Sequence, residues 1–275
     1  MIRKTIKAIK YLFLAFYKNP KRIKNSKLEA MLRFYVHTVE KSRIDQDKSD
    51  PLFMVLGRKY FSEAKKRKLL SKDEIEWCES ILYGKQREKK PKEISNQTKD
   101  NLQSIIKERR SVRSWEGSEL NKNDFEKIVN MAKWAPSSCN RQPWHFVLVN
   151  DKETIKLISE LRNQKFLINA PSCVLALINM ETYNGKEINY TPYLDAGAAI
   201  QNLLLAAESL GYGACWVNFG KMEVSDNKRA ILRKVINLPD ELKIISVIAI
   251  GKNPTSKPKA PGRKNSNDII HLEKF

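Results

Sequence analysis

Arg109-Arg110-Ser111-Val112-Arg113 gathers three guanidiniums and a hydroxyl into five consecutive residues. Arginine offers a planar fork of donors suited to bidentate contact with phosphate or carboxylate, so the string is a candidate anion-binding cluster. Taken alone, its blander meaning is a solvated basic turn. About 25 residues further on lies Ala135-Pro136-Ser137-Ser138-Cys139-Asn140-Arg141-Gln142-Pro143-Trp144-His145-Phe146. Two prolines bracket small hydroxyl and amide side chains, a composition that stops the preceding helix. Such a loop presents neutral donors and acceptors, as recognition of a polar heterocycle or polyol requires. By itself it also fits an ordinary polar loop.

Other reactive groups are sparse. Cys78, Cys139, Cys173 and Cys215 form no CxxC pair, and with only three histidines the residues do not suggest a metal site. Cys139 sits inside the polar loop without an evident neighbouring base, so it reads as a small filler rather than a nucleophile. His145 is expected to be packed or hydrogen-bonded. No catalytic side chain is assigned.

The elements that must position these residues follow from periodicity and caps. Upstream, helices are expected over roughly 2–17, 26–42 and 72–83, the last opened by Ser71 and Glu74 at capping-box spacing. The polar stretch 84–99 is the candidate linker. Downstream, Leu102 to Glu108 is expected to be helical, as is the segment from Asn121 to about Ala135. Strands are expected at 145–149, 173–178, 214–219 and 244–250, with helices near 155–162, 196–210 and 226–235 between them. The run Cys173 to Ile178 is almost wholly apolar, which marks a strand covered on both faces. Strands alternating with helices around a covered sheet describe a layered architecture.

The net charge of +20 first suggests a polynucleotide partner. Its location argues otherwise. Positions 1–100 carry 26 basic and 13 acidic residues, and positions 1–28 carry nine basic residues and no acid. No helix-turn-helix, RNA-recognition or zinc-finger pattern accompanies them, so nucleic acid ranks last among the partners. The apolar run 11–17 is too short to span a bilayer and lacks a cleavage site, so a cytoplasmic location is the expectation.

Taken together, the two motifs resemble the nitroreductase family of FMN-dependent oxidoreductases. Leu194-Asp195-Ala196-Gly197-Ala198-Ala199-Ile200-Gln201-Asn202-Leu203, then Leu210-Gly211-Tyr212-Gly213 with Trp216, and finally Ile250-Gly251-Lys252-Asn253-Pro254 with a basic tail, continue the resemblance in order from about 101 to 272. It implies an α+β fold, a mainly antiparallel sheet flanked by helices in an intertwined homodimer, over residues 96–275. It implies FMN as cofactor and NADH or NADPH as electron donor. Arg109, Ser111 and Arg113, with Arg110, would hold the phosphate and ribityl oxygens, and Arg263, helped by Lys252 or Lys259, would complete the phosphate cage. Ser137, Ser138, Asn140 and Gln142 would contact the flavin from the partner subunit. The backbone near Leu194 and Asp195 would face flavin N5, and the segment around Trp216 would line the ring. Tyr190 and Tyr193 are candidates for contact with a small acceptor of nitroaromatic, quinone or enone type.

Residues 1–95 fall outside the family core and are expected to form a basic helical extension. Ile2, Ile6, Ile9, Phe13 and Phe16 make one apolar stripe opposite lysines and an arginine. Such a helix suits peripheral contact of residues 1–28 with an anionic membrane surface, or packing on the protein itself. The alternative to an enzyme is therefore an FMN-holding protein that tethers through this region.

Overall fold

The computed structural model describes residues 19–44, 51–84, 92–219 and 226–274. The amphipathic stripe at 2–17 lies outside the described residues, as does most of the basic part of the candidate linker. Three helices come first: α1 (Asn25–Ile44), α2 (Pro51–Lys66) and α3 (Lys72–Tyr83). The capping box forms as its spacing predicts. Ser71 Oγ accepts from the Glu74 N–H at 3.3 Å, and Glu74 Oε2 accepts from the Ser71 N–H at 3.0 Å. Helix α2 is not among the helices expected from the sequence. Proline costs nothing at the first helical position, where its missing N–H would be unpaired anyway. Gly57 is there for closeness: a Cβ on it would lie 2.8 Å from Leu82 Cδ2 of α3. The three helices enclose an apolar core of their own, with Leu28, Leu32, Tyr35, Tyr60 and Leu82 fully buried.

The expected linker is shorter than its composition suggests. Ser95 caps α4 (Asn96–Glu108), its hydroxyl accepting from the Thr98 N–H at 3.2 Å, so the helix starts well before Leu102. The remaining helices are α5 (Lys122–Ala132), α6 (Lys152–Arg162), α7 (Thr191–Ser209) and α8 (Asp226–Val235). Four strands, β1 (Trp144–Val149), β2 (Ser172–Asn179), β3 (Tyr212–Asn218) and β4 (Leu242–Lys252), make one antiparallel sheet in the order β1-β2-β4-β3. Every residue of β2 is buried, as its apolar run predicts. One sheet face packs against α5 and α7, with Ile128, Ala132, Ile200 and Leu203 in the layer. The other packs against α6 and α8, through Ile155, Ile158 and Leu232. Burying each such isoleucine or leucine contributes roughly 1.5–3 kcal/mol, so both faces of the sheet are held by packing. No helix among the described residues is long and apolar enough to cross a membrane.

Helix α7 differs from its expected span in a way that matters for the site. It opens at Thr191 with Pro192 in the first turn rather than at Ala196. Leu194 and Asp195 therefore sit inside the helix, and Gly197 falls in its second turn.

Candidate functional site

The arginine cluster is placed by the end of α4. The Arg109 N–H closes that helix on Ile105 O at 3.0 Å. The chain then turns so that Ser111 forms a parallel bridge with Ala214 of β3, and the Val112 N–H reaches Ala214 O at 3.2 Å. Gly213 permits the approach: a Cβ there would lie 2.8 Å from Val112 Cγ2 and from Asn253 Oδ1. The Arg110 guanidinium folds back on the carbonyls of Lys107 and Arg109. That of Arg113 donates to Ser111 O at 3.3 Å and lies 5.7 Å from the Phe166 ring centroid. Among the described residues, Arg109, Arg110 and Arg113 have no carboxylate partner. Their field still reaches β3. Burial raises the Cys215 thiol pKa, and Arg113 and Arg109 pull against that shift.

The polar loop adopts a conformation that side chains rarely favour. Cys139, Asn140 and Gln142 have φ near +51°, +51° and +50°. Non-glycine residues held there cost on the order of 1–3 kcal/mol each and persist only where their surroundings fix them. The fixing groups are identifiable. Ser137 Oγ accepts from the Gln142 N–H at 3.0 Å, and Gln142 Nε2 donates to Asn140 Oδ1 at 3.2 Å. The Ser138 N–H donates to Asp195 Oδ1 of α7 at 3.0 Å, while Tyr183 Oη donates to Asp195 Oδ2 at 2.6 Å. Burial, then the adjacent carboxylate, pushes the Tyr183 pKa far above its ordinary value, so the phenol keeps its proton. Arg141, 4% exposed, donates to Ser138 Oγ at 2.8 Å and forms an ion pair with Glu187 at 3.1 Å.

Thus Asp195 serves the loop through its buried carboxylate. The Leu194 N–H is engaged within the helical ladder, reaching Tyr190 O at 3.3 Å, while the Leu194 side chain is 68% exposed. One turn on, Gly197 faces Trp216 of β3, where a Cβ would meet the indole Cη2 at 3.8 Å. The Trp216 ring is 42% exposed and is fixed by its Nε1, which donates to Ser246 Oγ at 2.7 Å. Tyr190 and Tyr193 are exposed nearby in sequence, and Tyr193 Oη accepts from Lys243 Nζ at 2.9 Å. A continuous path therefore joins the two motifs: loop to Asp195, α7 to Trp216, β3 to Ser111 and the arginines.

Three further expected participants come from the C-terminal part of the chain. Arg263 is in the exposed tail, donating to Pro261 O at 3.3 Å and Gly262 O at 3.2 Å. Lys252 Nζ stands 3.8 Å from the Tyr212 ring centroid. Lys259 is exposed. His145, expected to be packed or hydrogen-bonded, keeps an exposed surface on β1, while the protein around it still lowers its pKa, against the raising effect of Glu241. Sequence reasoning missed Tyr183, Arg141 and Glu187, although an arginine amid small polar residues is an available signal. All four cysteines are free, and burial pushes Cys78 and Cys173 up to about 12. No group of three or more metal-ligating side chains occurs among the described residues.

The model of the Nitroreductase family matches residues 106–161 and 154–252. The chain belongs to that family. A protein of Archaeoglobus fulgidus provisionally named NADH dehydrogenase/NAD(P)H nitroreductase is 33% identical over 178 residues, covering 62% of this chain and 97% of the relative. An FMN reductase [NAD(P)H] of Bacillus subtilis is 28% identical, covering 63% of this chain and 75% of that protein. Among solved structures, an FMN-dependent nitroreductase from Clostridium difficile R20291 superposes with a TM-score of 0.54 at 27% identity, covering 62% of this chain and 99% of the other. The family match begins at residue 106, so α1, α2 and α3 lie outside it.

Proposed function

We propose that the protein is an FMN-dependent NAD(P)H oxidoreductase that reduces a small organic acceptor. The observation that carries this reading is the cluster of Arg109, Arg110 and Arg113, without a carboxylate partner among the described residues, beside the Ser111 bridge and joined through β3 and α7 to a strained polar loop held by Asp195. The donor set fits the cofactor. A flavin phosphate carries close to two negative charges, and clustered guanidiniums with a neighbouring hydroxyl are suited to it. Arg109, Arg113 and Ser111 would hold that end. Ser137, Ser138, Asn140 and Gln142 offer amide and hydroxyl groups for the polyol and ring, and Trp216 offers an aromatic face.

Bound FMN supplies the hydride chemistry, as flavins do. The chain's residues bind, orient and exclude water. The raised Tyr183 pKa keeps a donor on Asp195, Asp195 holds the Ser138 amide, and the arginines fix the phosphate. No side-chain nucleophile is needed, and burial holds the Cys78, Cys173 and Cys215 thiols above their ordinary pKa.

The reading extends to a homodimer. Leu102 and Ile106 on α4, and Ile269, Ile270 and Leu272 in the tail, are exposed apolar side chains, and α4 buries no residue of its own within the chain. A second copy seated there would cover them and bring an Arg263 and a polar loop across the interface.

The test is direct. Purified protein, reloaded with FMN if needed, is expected to be yellow and to bleach on anaerobic addition of NADH or NADPH. Re-oxidation by a panel of nitroaromatics, quinones and enones then ranks acceptors. Protein that stays colourless after reloading refutes the flavin reading. Colour without bleaching favours an FMN-holding protein that tethers through the acid-free segment 1–28, which liposome flotation would examine.

A further inference from the structure

We propose that the N-terminal helical layer is a working part of the FMN site, with Phe34 of α1 and the Arg141 guanidinium acting as positioning residues for the loop. This rests on the flavin reading above and adds to it a residue, Phe34, from outside the matched family span. Arg141 is a charged side chain almost wholly removed from water, a state tolerated only when the charge is met from several sides. Glu187 meets it at 3.1 Å and Ser138 Oγ at 2.8 Å. Two rings also lie against it. The Phe34 centroid lies 5.3 Å from Arg141 Cζ and the Tyr183 centroid 5.5 Å from it. A cation over an aromatic face gains most when both are desolvated.

Of these four partners, Ser138 and Tyr183 also belong to the Asp195 network, so Arg141 is tied to the groups that hold the loop in its left-handed conformation. Phe34 is the member supplied by the extension. Helix α1 packs along the Ser138–Asn140 segment, and Phe34 is itself held by edge contacts with Tyr35 and Phe53, at 5.5 and 6.3 Å between centroids. The extension therefore supplies one wall of the chamber that keeps Arg141 on Ser138. Remove the ring, and the guanidinium gains a route to water. Ser138 then loses its hydroxyl partner, and the loop loses part of what offsets its strain.

The experiment uses the full chain and titrates apo-protein with FMN, following quenching of flavin fluorescence. Phe34→Leu keeps apolar bulk and removes the π face; Phe34→Tyr keeps both; Arg141→Lys keeps the charge and removes the fork. Phe34→Leu and Arg141→Lys are expected to raise the FMN Kd about tenfold. Phe34→Tyr is expected to restore it to within about twofold of the unaltered chain. Thermal unfolding of the apo-proteins separates a positioning role from a packing role. Equal apo stabilities for Phe34→Leu and Phe34→Tyr, with unequal Kd, support the proposal. Unchanged Kd in Phe34→Leu, or in Arg141→Lys, overturns it while leaving the flavin reading intact. Failure of the unaltered chain to bind FMN overturns that reading and this one together.

Discussion

The Asp195 carboxylate is the residue on which the loop turns. Each of its oxygens receives one donor, Ser138 N–H at 3.0 Å and Tyr183 Oη at 2.6 Å, in a buried setting. Tyr183→Phe leaves one oxygen short of a partner, which costs about 1–3 kcal/mol; the expected loss appears in the urea midpoint. A second phenol sets an alkaline limit. Burial, and then acceptance by Asp124, push Tyr212 up to about 12, above its ordinary value of about 10. The folded pKa is the higher one, so the contribution is complete below about pH 10 and is lost as pH rises through about 12. Denaturation midpoints measured across that window are expected to fall, and to fall less steeply in Tyr212→Phe. Little of this is visible in the sequence. The arginines stand out because they are neighbours along the chain. Asp195 and Ser138 are 57 residues apart, and no periodicity announces a carboxylate reaching that far.

At the scale of elements, most of the sheet was legible. Cys173 to Ile178 declares a doubly covered strand by its apolar run, and Ser71 with Glu74 declares a helix start. The sequence does not reveal uses of proline and glycine that depend on the neighbouring element rather than on the local chain. Pro51 opens α2 instead of ending a helix, and Gly57 lets α3 approach. Gly251 is the sharpest case. A Cβ there would lie 2.6 Å from Pro171 Cγ and 3.0 Å from Trp115 Cδ1, against a rigid ring that has little room to yield. Trp115 in turn donates to Gly213 O at 2.7 Å, which links this packing to the strand beside the arginines. Gly251→Ala is expected to destabilise by about 1–3 kcal/mol, read from equilibrium unfolding, and to weaken FMN binding as well. A wild-type midpoint would remove the packing argument.

Over the whole molecule, two surfaces carry consequences for assembly. The first is the apolar side of α4 with the tail residues Ile269, Ile270 and Leu272, the last 85% exposed. Ile106→Asp puts a charge in that surface. It is expected to shift the mass measured by light scattering from two chains to one, and to release FMN in the same step. A variant that remains dimeric argues that the copies meet elsewhere. The second surface is internal, where α1 meets the polar loop. Its charge balance could not be read from a net of +20, because the decisive cation, Arg141, is hidden and paired. Coupling across such a contact runs equally in both directions: a free energy by which the helix favours FMN is the free energy by which FMN favours the docked helix. Amides of α1 are therefore expected to exchange with deuterated water more slowly when FMN is present. The cofactor would then act as a fastener for a part of the chain that the family match leaves out.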